Sequence, residues 1–154
     1  MKTHRSETET FTTFVESVEP RLRHALVASF GPDTGLEAVA EALALGWERW
    51  DRISVMDNPA GYLYRVGVDR ARSRLRAPAM MPPVVPDRLP WVEPALPRAL
   101  GELSESQRTC VVLVHTYGYS LGEVAGLLDV SKSTVQKHTE RAIRRLRMAL
   151  GVEL

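Results

Sequence analysis

Hydrophobic residues recur at three- and four-residue intervals along most of the chain, and no stretch keeps the two-residue alternation of a strand. The pattern predicts an all-α fold. The predicted helices cover residues 11–30, 35–52, 59–76, 104–117, 120–129 and 131–150. A break is expected at Gly31-Pro32-Asp33, and Gly151 should end the last helix.

Three helix starts carry local signals. Asn58 followed by Pro59 fits an N-cap and the first helical residue. Two further segments, Ser104 to Gln107 and Ser120 to Glu123, fit the capping box, in which two side chains satisfy each other's free backbone amides. These starts are expected to be well defined.

Prolines divide the chain into two parts. Seven of the ten fall between residues 77 and 98, where they discourage helix formation. We expect a disordered N-terminus over 1–10, a helical domain over 11–76, a semi-extended, mobile linker over 77–97 and a second helical domain over 98–151. Each domain is near the lower size limit for independent folding.

The second domain contains a helix-turn-helix pattern over residues 121–135. One helix face should carry an apolar stripe, Val130 should fill the turn, and Val135 should face inward. The stripe consists of Leu121, Val124, Ala125 and Leu128.

Charge is clustered although the net charge is only +1. Between residues 132 and 147 there are six basic residues and one acidic residue, which suits phosphate neutralisation rather than a merely solvated face. Short polar side chains at the start of this helix suit contacts with base edges in the major groove. The predicted DNA contacts are Ser131, Lys132, Ser133, Thr134, Gln136, Lys137, Arg141, Arg144 and Arg145.

The first domain has charge of both signs. The helix over 59–76 carries five arginines and one aspartate, whereas residues 33–57 carry six acids and two arginines. We interpret these as surfaces for two different partners; the alternative is that the two helices pair internally. The residues expected to pack inward from 59–76 are Tyr64, Val68, Ala71 and Leu75.

No catalytic or metal-binding grouping is present in the sequence. The four histidines are dispersed, and Cys110 lies in an apolar run typical of a buried thiol in a reducing compartment. We therefore expect no enzyme activity, no cofactor and no metal. Without a targeting signal or a membrane-spanning run, the expected location is the cytoplasm.

Three stretches resemble bacterial RNA polymerase sigma factors of the extracytoplasmic-function (ECF) group. They are Asn58-Pro59-Ala60-Gly61-Tyr62-Leu63-Tyr64-Arg65-Val66, Leu100-Gly101-Glu102-Leu103-Ser104-Glu105-Ser106-Gln107-Arg108 and Thr134-Val135-Gln136-Lys137-His138. The resemblance implies a promoter-specificity subunit that binds core RNA polymerase and promoter DNA and helps to open the duplex. The C-terminal helix-turn-helix would read the minus-thirty-five element.

The resemblance also implies roles for the first domain. Its second helix would bind the coiled coil of the largest polymerase subunit through Glu37, Glu41, Leu43 and Trp47. The loop from Asp51 to Asn58 would hold a flipped base of the minus-ten element, with backbone contacts along the next helix. The implied minus-ten residues are Asp57, Asn58, Tyr62, Arg65, Asp69, Arg72 and Arg76.

The chain departs from the family at three positions. Ala40 stands in place of a usual glutamine, Asp69 in place of a common asparagine and Ser73 in place of a common aspartate. We expect unusual minus-ten specificity. The sequence leaves open whether an anti-sigma factor binds the chain. The alternative function is a dimeric helix-turn-helix regulator that acts without core polymerase; the sigma-factor interpretation predicts a monomer when free.

Overall fold

The computed structural model describes residues 2–76 and 95–152, with side chains from residue 10 onward. Every regular element in these ranges is a helix, which confirms the all-α prediction. The elements are α1 (Lys2–Phe30), α2 (Pro32–Glu48), α3 (Trp50–Ile53), α4 (Pro59–Arg76), α5 (Leu96–Glu102), α6 (Glu105–Val111), a π-helical turn (Val112–Thr116), α7 (Leu121–Leu128) and α8 (Lys132–Leu150).

The first helix is longer than the sequence pattern indicates. α1 begins at Lys2, so residues 2–10, predicted to be disordered, are helical. No glycine or proline interrupts the chain before Pro20, and Pro20 itself lies inside the helix. The predicted break is present: Gly31 has φ +85°, which glycine adopts without strain, and Pro32 opens α2.

The linker prediction falls mostly on residues 77–94, which lie outside the described residues. Its last part differs from the prediction because α5 begins at Leu96. Pro97 occupies one of the first two helical positions, where the amide that proline lacks would have no partner inside the helix. The single helix predicted over 104–117 is divided into α6 and the π-helical turn.

The helix starts follow the local signals. The Asn58 side-chain oxygen accepts a hydrogen bond from the Gly61 amide at 3.0 Å, which confirms the N-cap of α4. Both capping boxes are formed, at Ser104 with Gln107 and at Ser120 with Glu123. Each involves residues only three positions apart, so the sequence alone defines them.

The N-terminal module, which comprises α1 to α4, packs around the centre of α1. Its buried core contains residues of α1, α2, α3 and α4, with Trp50 and Ile53 closing one end. α2 starts very close to α1: a Cβ on Gly35 would lie 2.7 Å from the Val27 Cα, so only glycine fits there. Leu75 was expected to pack inward but is 59% exposed, because the last turn of α4 extends beyond this core.

The C-terminal module comprises α5 to α8 with the π-helical turn, and it shares a core with the N-terminal module. Ala25 of α1 is fully buried in the same cluster as Cys110 and Leu113, and α4 contributes Tyr64 and Ala60 to its edge. The sequence predicts two domains separated by a mobile linker, whereas in this conformation the C-terminal helices pack directly on α1 and α4. The burial of Cys110 matches its prediction, and burial raises the pKa of its thiol to about 11.

Candidate nucleic-acid interface

The helix-turn-helix consists of α7, a tight turn and α8. Asp129 ends α7 in the left-handed conformation at φ 57° and ψ 49°, and the Val130 amide donates to the Ala125 carbonyl at 3.1 Å. The Ser131 hydroxyl then accepts from the Thr134 amide at 3.1 Å and so caps α8. Val130 was expected to fill the turn but is 40% exposed. The turn is therefore closed mainly by backbone bonds.

Buried and exposed side chains lie on different faces of α8, as expected of a DNA-recognition helix. Val135, Thr139 and Ala142 are buried and anchor the helix to the module. Lys137 and Arg141 are exposed on another face. Near the start of the helix, the Ser131 hydroxyl also contacts the hydroxyls of Ser133 and Thr134, so these side chains form a small polar surface of their own. The two serines of this surface and the two cations are exposed to solvent.

Not all of the predicted DNA contacts lie on that surface. Arg145 points to α5 and α6, where its guanidinium donates to the Gln107 side-chain oxygen at 3.0 Å and to the Glu102 carbonyl at 3.3 Å. Gln136 donates to Glu140 at 3.0 Å within α8. The geometry thus favours Lys137 and Arg141 over Arg145 as phosphate contacts.

The predicted minus-ten residues lie on α4 and just before it, and several face the C-terminal module. The Asn58 side-chain amide donates to the Gly126 carbonyl of α7 at 2.6 Å. Arg72 forms a bidentate ion pair with Glu105 of α6, with nitrogen–oxygen distances of 2.8 and 3.4 Å. This hydrogen-bonded pairing raises the pKa of Arg72. Both side chains are thus already engaged by the other module.

A cavity of about 270 Å³ lies between the modules beside these contacts. Arg65 and Asp69 line it from α4, and His138 lines it from α8. The Nδ1 atom of His138 is buried and has no hydrogen-bond partner. The other predicted minus-ten residues are more scattered: Asp57 and Arg76 are exposed, and Tyr62 packs half-buried against the N-terminal core.

The predicted polymerase-binding residues lie along α2. Glu37 and Glu41 both form ion pairs with Arg74 of α4, the first at 2.6 Å. Internal pairing, the alternative interpretation of the acidic segment, is therefore present for these two acids. Trp47 is 44% exposed and its ring lies 5.4 Å from that of Phe11, while the next tryptophan along the chain, Trp50, is buried.

Leu43 is half-buried against the N-terminal core, so only part of its side chain remains available to a partner. Ala40, one of the three departures from the family pattern, is exposed on the same helix. The exposed side of α2 is thus a mixed surface of paired acids, small residues and one large aromatic ring. Such a surface suits a protein partner better than DNA.

Sequence reasoning missed the residues that join the modules at the end of α1. Arg108 donates to the carbonyls of Ala28 at 3.0 Å and Ser29 at 2.6 Å, which lie in the last turn of α1. The hydroxyls of Ser29 and Thr109 are in direct contact and buried. The sequence offers one signal at this contact, a serine on an otherwise apolar helix face, but a single serine does not identify the residue it will contact.

An aromatic contact joins the modules about one turn earlier in α1. The ring of His24 stacks on that of Tyr117, with centroids 3.8 Å apart and an interplanar angle of 8°. Its Nδ1 lies 2.9 Å from the Tyr119 hydroxyl. Burial, and then the nearby Arg23, lower the pKa of His24, which favours the neutral ring in the stack.

Within the described part of the chain, no group of histidine, cysteine, aspartate or glutamate has the arrangement of a metal site. None of the helices described is both long enough and apolar enough to cross a bilayer. On α8 the exposed groups include cations, amides and hydroxyls, which bind phosphates and base edges.

Comparison with known proteins agrees with this chemistry. Residues 94–146 match the family described as "Sigma-70, region 4". Two curated proteins from strains of Mycobacterium tuberculosis, each named "ECF RNA polymerase sigma factor SigM", are 36% identical to the chain over 101 residues. The aligned part covers 60% of this chain and 52% of each relative, so the chain spans about half the length of the curated relatives it matches.

Two solved structures share the fold. The sigma factor RpoE of Bartonella quintana, in complex with the anti-sigma factor NepR, has a TM-score of 0.66 and 21% identity, covering 95% of this chain and 99% of that one. CnrH, in complex with the cytosolic domain of CnrY, has a TM-score of 0.62 and 24% identity, covering 96% and 91%. Residues 94–146 are therefore similar to sigma-70 region 4, and the chain is similar in sequence to ECF sigma factors and in fold to the two solved structures.

Proposed function

We propose that the chain is a sigma factor, which binds core RNA polymerase, directs it to promoters and promotes transcription initiation. The observation that carries the proposal is the region 4 helix-turn-helix, whose second helix exposes Lys137 and Arg141 opposite its buried face. A factor of this kind would act in the cytoplasm. The dimeric regulator is not favoured by the relatives.

The proposed division of labour follows the two modules. α8 would enter the major groove of the minus-thirty-five element, with the polar side chains at its start meeting base edges and the cations meeting phosphates. α4 and the residues before it would bind the minus-ten element. There Arg65 and Arg72 would contact the backbone, and Asp69 would accept from a base amine such as that of cytosine.

Core polymerase would bind the exposed side of α2. Its acids would meet a basic surface of the polymerase, while Trp47 would supply an aromatic anchor of the kind that dominates protein interfaces. An anti-sigma factor is a further proposed partner, since both structural relatives were solved in complexes, and the partner named for RpoE is an anti-sigma factor.

The proposal is tested by size-exclusion chromatography of the chain with bacterial core RNA polymerase. We expect a free monomer that comigrates with core. Replacing both α2 acids, in Glu37→Gln with Glu41→Gln, should weaken comigration because the negative charges are removed. The matched control is Arg74→Ala, which breaks the same two ion pairs but keeps the carboxylates.

The control separates two explanations of weaker binding. Weaker binding by both variants would mean that the ion pairs support α2 from within and do not mark the polymerase surface. A chain that is dimeric and elutes apart from core would contradict the sigma-factor proposal.

A further inference from the structure

We infer that Arg74 of α4 sets the affinity of the chain for core polymerase, because its guanidinium competes with the cations of core for two acidic side chains of α2. This role rests on the proposed function, in which Glu37 and Glu41 meet a basic surface of core. Arg74 would thus determine how strongly core binds although it belongs to a different helix from the acids.

A single guanidinium spans both acids. Glu37 and Glu41 lie one turn apart on α2, so their carboxylates share one side of the helix. One terminal nitrogen of Arg74 pairs with Glu37 at 2.6 Å, and the other donates to Glu41. The hydrogen bond to Glu41 raises the pKa of Arg74, as expected when a carboxylate stabilises the charged guanidinium. Arg74 therefore occupies the positions that a partner's cation would take.

The pairing lowers the charge that a partner meets. Two carboxylates and one guanidinium leave one net negative charge, where the acids alone would present two. A basic partner must either displace Arg74 or bind while its positive charge stays between the acids. Both cases reduce the electrostatic gain of binding. Arg74 thus weakens core binding relative to what the two acids alone would support.

The ion pairs lie where a partner can reach them. The side chains of Arg74, Glu37 and Glu41 are 43%, 57% and 32% exposed. Exposed ion pairs contribute little to folding, so Arg74 can be displaced or replaced without unfolding the module. The buried face of α4, which includes Leu63 and Ala71, holds the helix in place instead.

The surface beside the acids offers contacts that do not depend on charge. Leu36, Ala40 and Trp47 recur at helical spacing along α2, and all three are exposed. Apolar contacts of this kind are not screened by salt, whereas the contacts of exposed carboxylates are. The salt dependence of core binding therefore isolates the contribution that Arg74 controls.

The test measures the dissociation constant of the full chain for bacterial core polymerase, with a fluorophore at the N-terminus of the chain. Arg74→Ala should bind core about two- to fivefold more tightly than the wild type at low salt, the range expected for one exposed ion pair. The difference should shrink as salt is raised to about 1 M, where screening is nearly complete beyond a few ångströms. Arg74→Lys keeps the charge and should bind like the wild type.

Arg70→Ala is the matched control. Arg70 is exposed one turn before Arg74 on the same helix, so its substitution removes the same charge but leaves the pairs of Arg74 with the acids in place. It should change core affinity less than Arg74→Ala does. In a chain that carries both Glu37→Gln and Glu41→Gln, the two arginine substitutions should have equal effects, because no carboxylate remains to be freed. Thermal unfolding of each variant checks that the fold is retained.

The outcomes separate the role of Arg74 from the proposed function. Equal or weaker core binding by Arg74→Ala, a gain that salt does not reduce, or the same gain from Arg70→Ala would each overturn the role of Arg74 and leave the proposed function standing. Failure of the wild type to bind core would overturn the proposed function, and the role of Arg74 with it.

Discussion

The salt dependence of promoter binding tests whether Lys137 and Arg141 of α8 contact phosphates and Arg145 does not. Lys137 and Arg141 lie one turn apart on the exposed face, and we assign one phosphate contact to each. Removing one phosphate contact should reduce the slope of log affinity against log salt by about 0.9. The double variant Lys137→Ala with Arg141→Ala should therefore have a slope smaller by about 1.8.

The difference is large enough to measure. Between about 50 and about 200 mM salt, a slope difference of about 1.8 corresponds to an affinity ratio of about twelvefold. Wild-type affinity should fall about twelvefold more over this range than that of the double variant. Fluorescence anisotropy of a labelled selected duplex, with the chain bound to core, gives both slopes.

Arg145→Ala is the matched control, because it removes the same charge from the same helix. Its guanidinium is held by Gln107 and the Glu102 carbonyl, so its removal should leave the salt slope unchanged and lower the thermal stability instead. A slope reduced by Arg145→Ala as much as by Arg141→Ala would refute the assignment of phosphate contacts from the geometry of α8.

Three further predictions concern stability and reactivity. Gly35→Ala would place a methyl group against the backbone of α1 and should cost about 1–3 kcal/mol in thermal unfolding, whereas Gly126→Ala meets open space and should be neutral or stabilising. Hydrogen bonds at the Ser120 capping box lower the pKa of Glu123 in the folded chain. The stabilisation by the Glu123 carboxylate is therefore present above its unfolded-state pKa and is lost as the pH falls through its folded-state pKa. Glu123→Gln should flatten the stability–pH curve in this range, and an unchanged curve would contradict the cap. Cys110, with its pKa raised to about 11, should react with a thiol reagent at about pH 8 only on unfolding; rapid modification of the folded chain would show that the site opens locally.

The parts of the fold that the sequence predicts are those set by near neighbours. The caps at Asn58, Ser104 and Ser120 involve partners three residues away, and the buried face of α8 follows from helical spacing. Leu75 shows the limit of that spacing: it continues the inward-facing row of α4, yet no described element extends far enough to cover it.

The contacts between modules could not be predicted in this way. Arg108 lies in a capped helix start that looks complete by itself, and nothing local shows that its side chain reaches the end of α1. Arg145 belongs to a basic cluster that predicts DNA contact as a group, whereas its neighbours on α5 and α6 decide its own direction. Such assignments depend on the packing of segments distant in sequence.

The most direct test of the central claim is selection of binding sites from a randomised duplex library, by the chain alone and by the chain with core RNA polymerase. A sigma factor should select a strong site only with core, and that site should consist of two unlike elements at a fixed spacing. Selection of a palindromic site by the chain alone, unchanged when core is added, would contradict it and would favour a dimeric regulator.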